Sequence, residues 1–311
     1  MILLKEIRRR KCYFMKKIVF IALSLLIIGG IGVGAMTVFG VAFNKTEIHK
    51  EETVDGEKID EIEVKTSAAD VEIITGDSKD IEVLLDGEIS KELVDKYKFE
   101  VKKENNRLNI DFSKNWNSIG WGIGTTADVN LQVKIPKKIY DTVKVTTSSG
   151  DFVAKEIETK VAEINTSSGD VSFSHSKIKE KLTAKTSSGK IETDKSEIEV
   201  AKLNTGSGKI RVENLHSKEL VAKTSSGDIE YNDRSLQGEV ECNTSSGDVK
   251  MQFDTLPESL RVEFDGSSGK ADVNIAGLLY EEKSKNQLVG VKGTGENKVK
   301  VKTSSGDFKL R

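Results

Sequence analysis

One five-residue corner recurs through this chain. "TSSGD" stands at 147–151, 166–170, 224–228, 244–248 and 303–307, with "TSSGK" at 186–190, "TGSGK" at 205–209 and "GSSGK" at 266–270. The corner glycines fall at 150, 169, 189, 208, 227, 247, 269 and 306, giving spacings of 19, 20, 19, 19, 20, 22 and 37. A period of that size is the mark of stacked repeats.

The positions seven and five residues before each glycine are apolar, as in Val143 and Val145, Leu182 and Ala184, or Leu220 and Ala222. Two and four residues after it the apolar pattern resumes, as in Val171 and Phe173 or Ile229 and Tyr231. Polar residues fill most of the alternate positions, so each repeat reads as a period-2 strand, a corner and a second period-2 strand. Units this short bury their apolar face only by stacking. The pattern predicts an all-β fold, a β-solenoid of the parallel β-helix kind. About ten coils, most with 19–20-residue repeats, would stack ~4.8 Å apart to roughly 45 Å. Glycine and serine should make the bend, with the glycine free to take positive φ. Cys242 shares a column with Ala184, Leu203, Ala222 and Phe264, which alternate in volume, and so reads as a small buried hydrophobe.

Toward the N-terminus, "IEVKTSAADVEI" (62–73) fits the template with Ala69 at the corner. "FEVKKENNRLNI" (99–110) fits with Asn106 there and Phe99, Val101, Leu108 and Ile110 in the apolar columns. These early coils are wider and hold "SKNWNSIGWGIGTTAD" (113–128), the segment with both tryptophans.

Net charge is −2, but residues 1–17 carry +6 and the rest −8, which argues against nucleic-acid binding. From Ile18 to Phe43 there is no charged residue, a length that spans a bilayer as one helix. The basic flank places the N-terminus in the cytoplasm and residues after 44 outside, as a single-pass cell-membrane protein. A cleaved signal peptide is the rival reading, and "MKKIVFIALSLL" from Met15 also resembles a start. The expected organisation is a basic segment 1–17, an anchor 18–43, a linker 44–61, wider β coils 62–142 and regular repeats 143–311.

The residues after the corner glycines mix Asp151, Asp170, Asp228 and Asp248 with Lys190, Lys209 and Lys270, which suits a solvated edge better than a calcium column. The corner threonines read as a hydrogen-bonded ladder. No metal ligand set, cofactor motif or catalytic residue is expected. Trp116 and Trp121 are the ligand-binding candidates, able to stack on a sugar, or else they pack against the solenoid. The C-terminal "TSSGDFKLR" ends without a cap, so Asp307, Phe308 and Lys309 are expected to form an open assembly edge for self-association or a partner strand.

The apolar N-terminal segment, "TSAADVEI", "LQVKIP" (131–136) and the serial "TSSGD" corners together resemble the bacterial putative-adhesin domain family with β-strand repeats. The resemblance runs from about residue 58 to the end. It implies a β-repeat fold in a membrane-anchored protein of the cell envelope, in some members tied to envelope stress, in a family of largely unknown function. The expected function is a non-catalytic binding or scaffolding module for a cell-wall polymer or envelope protein. The alternatives are a polysaccharide-active β-helix enzyme and a solenoid that polymerises end to end.

Overall fold

The computed structural model describes residues 45–114 and 127–311. The chain divides near Lys45, and the β structure belongs to the unit Thr46–Arg311. The expected basic segment and anchor lie outside the described residues. Among the described residues, no helix is long and apolar enough to cross a membrane.

The strands begin with β1 (Lys45–Asp55), β2 (Glu61–Thr66), β3 (Asp70–Gly76), β4 (Asp80–Ser90), β5 (Tyr97–Glu104), β6 (Arg107–Lys114), β7 (Ala127–Pro136), β8 (Ile139–Thr146) and β9 (Phe152–Lys155). Next come β10 (Glu158–Asn165), β11 (Val171–Ser174), β12 (Lys177–Thr186), β13 (Ile191–Ile198), β14 (Val200–Thr205), β15 (Ile210–His216), β16 (Glu219–Lys223), β17 (Ile229–Ser235), β18 (Glu239–Asn243) and β19 (Val249–Thr255). The last are β20 (Leu260–Gly266), β21 (Ala271–Val273), β22 (Leu279–Lys283), β23 (Gln287–Lys292), β24 (Asn297–Thr303) and β25 (Phe308–Leu310).

Strands before the corner stack in parallel as a first ladder, in the order β6, β2, β8, β10, β12, β14, β16, β18, β24, β20. Strands after the corner form a second ladder, β7, β3, β9, β11, β13, β15, β17, β19, β25, β21. This is the expected solenoid-like stack. The apolar columns face inward and are nearly all dry, from Val143 and Val145 through Leu182, Ala184, Leu203, Ala222 and Cys242 to Val301.

Spatial order departs from chain order at both ends. Strand β6 lies outside β2, and β5 returns beside β6 as an antiparallel hairpin that turns at Asn105, φ 57°. The expected corner at Asn106 is therefore a hairpin turn. Leu108 and Ile110 do stand in the columns, opposite Ile62 and Val64, whereas Phe99 and Val101 lie one strand further out. Strand β4 runs antiparallel to β7, and β1 pairs with β4, so the segment expected as a linker, 44–61, contains a strand. At the other end β24 and β25 insert between the β18–β19 coil and the β20–β21 coil, and a β22–β23 hairpin extends the first ladder past β20.

The insertion has an electrostatic reason. Lys300 lies directly between Glu241 and Glu263 on the outer face, and Lys302 lies between Asn243 and Asp265. Stacking β20 on β18 in chain order would have set Glu241 against Glu263. Opposite charges across a strand pair stabilise it and like charges do the reverse.

Candidate functional surfaces

The corners are held by three hydrogen-bond columns. Within a coil the glycine N–H donates to the threonine hydroxyl, as Gly169 to Thr166 Oγ1 and Gly189 to Thr186 Oγ1, both at 3.1 Å. Between coils that hydroxyl donates to the previous glycine carbonyl: Thr186 to Gly169 at 3.0 Å and Thr205 to Gly189 at 2.9 Å. The expected threonine ladder is thus a threonine–glycine relay rather than a row of threonine pairs. The aspartates make the third column, where Oδ1 of Asp151 accepts the Asp170 N–H at 2.8 Å and Oδ1 of Asp170 accepts the Lys190 N–H at 2.7 Å. These carboxylates cap backbone donors of the neighbouring coil, which accounts for them without a bound cation. Among the described residues, no three His, Cys, Asp or Glu side chains gather as a metal site.

The corner glycines owe their identity to space rather than torsion. None of them has positive φ. A Cβ on Gly169 would lie 1.9 Å from the Gly150 carbonyl oxygen, and one on Gly247 would lie 1.8 Å from that of Gly227. The left-handed residues sit six positions later, at Glu156, His175, Lys195 and Asn214, with φ 58°, 51°, 45° and 49°. That second corner escaped sequence reading because no residue type repeats there.

The predicted site residues fall in different places. Trp116 and Trp121 lie outside the described residues. In sequence they fall between β6 and β7. Asp307, Phe308 and Lys309 do not form an edge. Strand β25 is paired with β19 on one side and β21 on the other, and Phe308 is 1% exposed and stacked on Phe264. The Asp307 carboxylate accepts the Lys270 N–H at 2.9 Å. The expected open edge is closed because the last coil in sequence is not the last in space.

A groove of about 460 Å³ crosses the outer face of β4, β7, β3 and β9, lined by Asp70, Glu72, Leu84, Asp86, Gln132 and Val153. Gln132 Nε2 and Lys155 Nζ donate to Glu72 at 2.7 and 2.8 Å, and these contacts hold its carboxyl below the usual glutamate value, Lys155 contributing most. His49 Nδ1 meets Asp86 at 2.9 Å. Amide, carboxylates and two half-buried aliphatic side chains make a surface able to hydrogen-bond a polyhydroxylated ligand over a small apolar floor. The strongest shifts elsewhere belong to the core, where burial pushes up the Cys242 thiol and the Tyr140 and Tyr231 phenols. Groups so enclosed act as packing, not as nucleophiles.

The Toastrack DUF4097 family model matches residues 59–311. The chain belongs to that family. This Toastrack chain is also similar in structure to a "putative adhesin" from Bacteroides fragilis, at 12% identity and TM-score 0.51, over 86% of this chain and 97% of that one. A "putative lipid binding protein" from Parabacteroides distasonis is 14% identical with TM-score 0.43, covering 86% of this chain and 97% of its own. No curated protein matches. The similarity to the Bacteroides fragilis structure supports the all-β repeat fold.

Proposed function

We propose that this Toastrack chain is a non-catalytic binding and scaffolding module of the cell envelope, tethered by residues 18–43 with its β domain outside the membrane. The domain would stand as a stack of about ten layers, roughly 45 Å long at ordinary strand spacing. The observation that carries the reading is the solid interior. The dry columns run from one end of the stack to the other, so recognition falls to surfaces. In sequence Trp116 and Trp121 fall between β6 and β7, and β7 supplies Gln132 to the Asp70–Glu72–Gln132 groove. Aromatic rings, and separately a groove of amides and carboxylates, are the kinds of group that hold a cell-wall sugar polymer.

The test is to incubate the full chain, in detergent, with purified wall polymers and to score both retention and released product. Retention without product, lost on Trp116→Ala with Trp121→Ala, supports the reading. Product release that depends on an acidic pair would move the protein to the polysaccharide-active class. For the anchor, the intact chain should sediment with membranes and residues 45–311 should be open to protease added outside; a secreted product starting near Met36 or Phe43 would mean a cleaved signal.

A further inference from the structure

We propose that copies of this chain associate head to tail through the first ladder, β22 of one copy pairing antiparallel with β5 of the next. The inference stands apart from the ligand reading above. Among the described residues both strands end the same ladder, β5 beyond β6 and β22 beyond β23, and each has one paired side. Strand β5 runs against the parallel ladder, and β22, reversed twice from β20, runs with it. An end-to-end join is therefore antiparallel.

The ends are stepped in complementary ways. At the β22 end the first ladder overhangs the second by two strands, since the second stops at β21. At the β5 end the second ladder overhangs the first, carrying β4 and β1 against β5 alone. Joining them leaves a mismatch of one strand width. The segment after β21 fills it, with Ile275 and Leu278 closing the core and the Tyr280 hydroxyl donating to the Val273 carbonyl at 3.2 Å.

One register matches faces and charges together. Glu282 shares the outer face with Val289 and Glu263, and Lys98 shares it with Ser113. Setting Glu282 opposite Lys98 places Lys283 against Tyr97 and, with Glu281 as the bulged residue, Tyr280 against Phe99. The pairs are an ion pair, a cation–aromatic contact and an aromatic contact, each of a kind that stabilises strand pairing. In the free chain Lys98 and Glu282 are exposed, with Lys98 paired to Glu100 of its own strand. Lys283 lies over the Tyr280 ring at 3.9 Å, Tyr97 stacks on Phe112, and Leu279 and Tyr280 are 76% and 40% exposed, so the join trades or extends these contacts. Self-pairing of β22 would instead bring Glu281 and Glu282 against their own copies, which disfavours a two-fold dimer there. A head-to-tail interface repeats into a row or closes into a ring.

The test uses the full chain with Cys12→Ser, reconstituted in vesicles; Cys242, at 0% exposure, stays out of the chemistry. Chains with Lys98→Cys are mixed with differently tagged chains carrying Glu282→Cys and oxidised. Mixed disulfide dimers are expected, with a ladder of multimers when one chain carries both substitutions. Lys250→Cys, on the outer face of β19, mixed with Glu282→Cys should give only background. Glu282→Lys should abolish the higher species in sedimentation, and adding Lys98→Glu to the same chain should restore them. A 98/282 yield no greater than the 250/282 background, or monomers throughout, overturns the proposal, as does a charge reversal without rescue.

Discussion

Gly169 is a glycine because of the coil next to it. Its missing Cβ leaves room for the Gly150 carbonyl, so Gly169→Ala must move backbone in two coils and should cost about 2 kcal/mol or more. Gly76→Ala is the control, since a Cβ there would find its nearest neighbour 3.8 Å away, and it should be neutral or slightly stabilising. Thermal melts of the two variants decide; equal losses would mean that torsion, not space, selects the corner glycine. Thr193 is the reverse case. Its hydroxyl is buried without a hydrogen-bond partner among the described residues, in a column where Val212 follows, so Thr193→Val should stabilise by about 1 kcal/mol in urea unfolding. Glu72 gives a pH signature. Its lowered carboxyl contributes stability that is complete above the ordinary glutamate value of 4.5 and fades as pH falls through the lowered one. Glu72→Gln should therefore flatten the acid side of the stability profile and leave its slope above neutrality unchanged.

At the scale of a strand, β24 shows how neighbours are chosen. Each of its outward lysines has two cross-strand partners, and the charge of those partners changes from one lysine to the next. Lys300 lies between two glutamates, so Lys300→Glu would line up three carboxylates and should cost about 1–2 kcal/mol, two like-charge pairs replacing two opposite ones. Lys298 lies between Glu239 and Arg261, so Lys298→Glu exchanges one favourable pair for another and should fall within about 0.5 kcal/mol. Denaturant midpoints of the two variants test the inserted order directly. If they lose stability equally, charge alternation does not guide the insertion.

Across the whole stack, stability should be nearly a sum of coil and neighbour terms, as in other solenoids. The inserted coil is the exception, because β20 and β21 reach the rest of the ladders through β24 and β25. Removing residues 297–311 should leave a slot with an unpaired ladder on each side and loosen 257–296 while the coils up to β17 persist. A peptide of residues 297–311 added in trans should bind that slot and restore amide protection to β18–β21. Protection that never falls in the truncated chain, or that the peptide fails to restore, would contradict this account.

What the sequence determined is what short range and strict period can encode. Apolar columns, corner spacing and parallel stacking follow from alternation and a repeat of fixed length, and β8–β19 stack in the predicted register because each coil meets the next one in the chain. Residues such as Ala69 and Cys242 were legible for the same reason, since burial there depends only on the period. The ends were not legible. Strand β6 has the pattern of an interior strand, yet it lies outside β2, and Phe308 reads as terminal, yet it lies between two coils. Which strand neighbours which is set by pairings between segments far apart in sequence, where charge across the outer face and the need to cover both ends of the core decide. The left-handed corner at Glu156, His175, Lys195 and Asn214 was hidden on the same principle: stacking imposes its torsion on whichever residue falls there, so tertiary structure, not residue type, selects it.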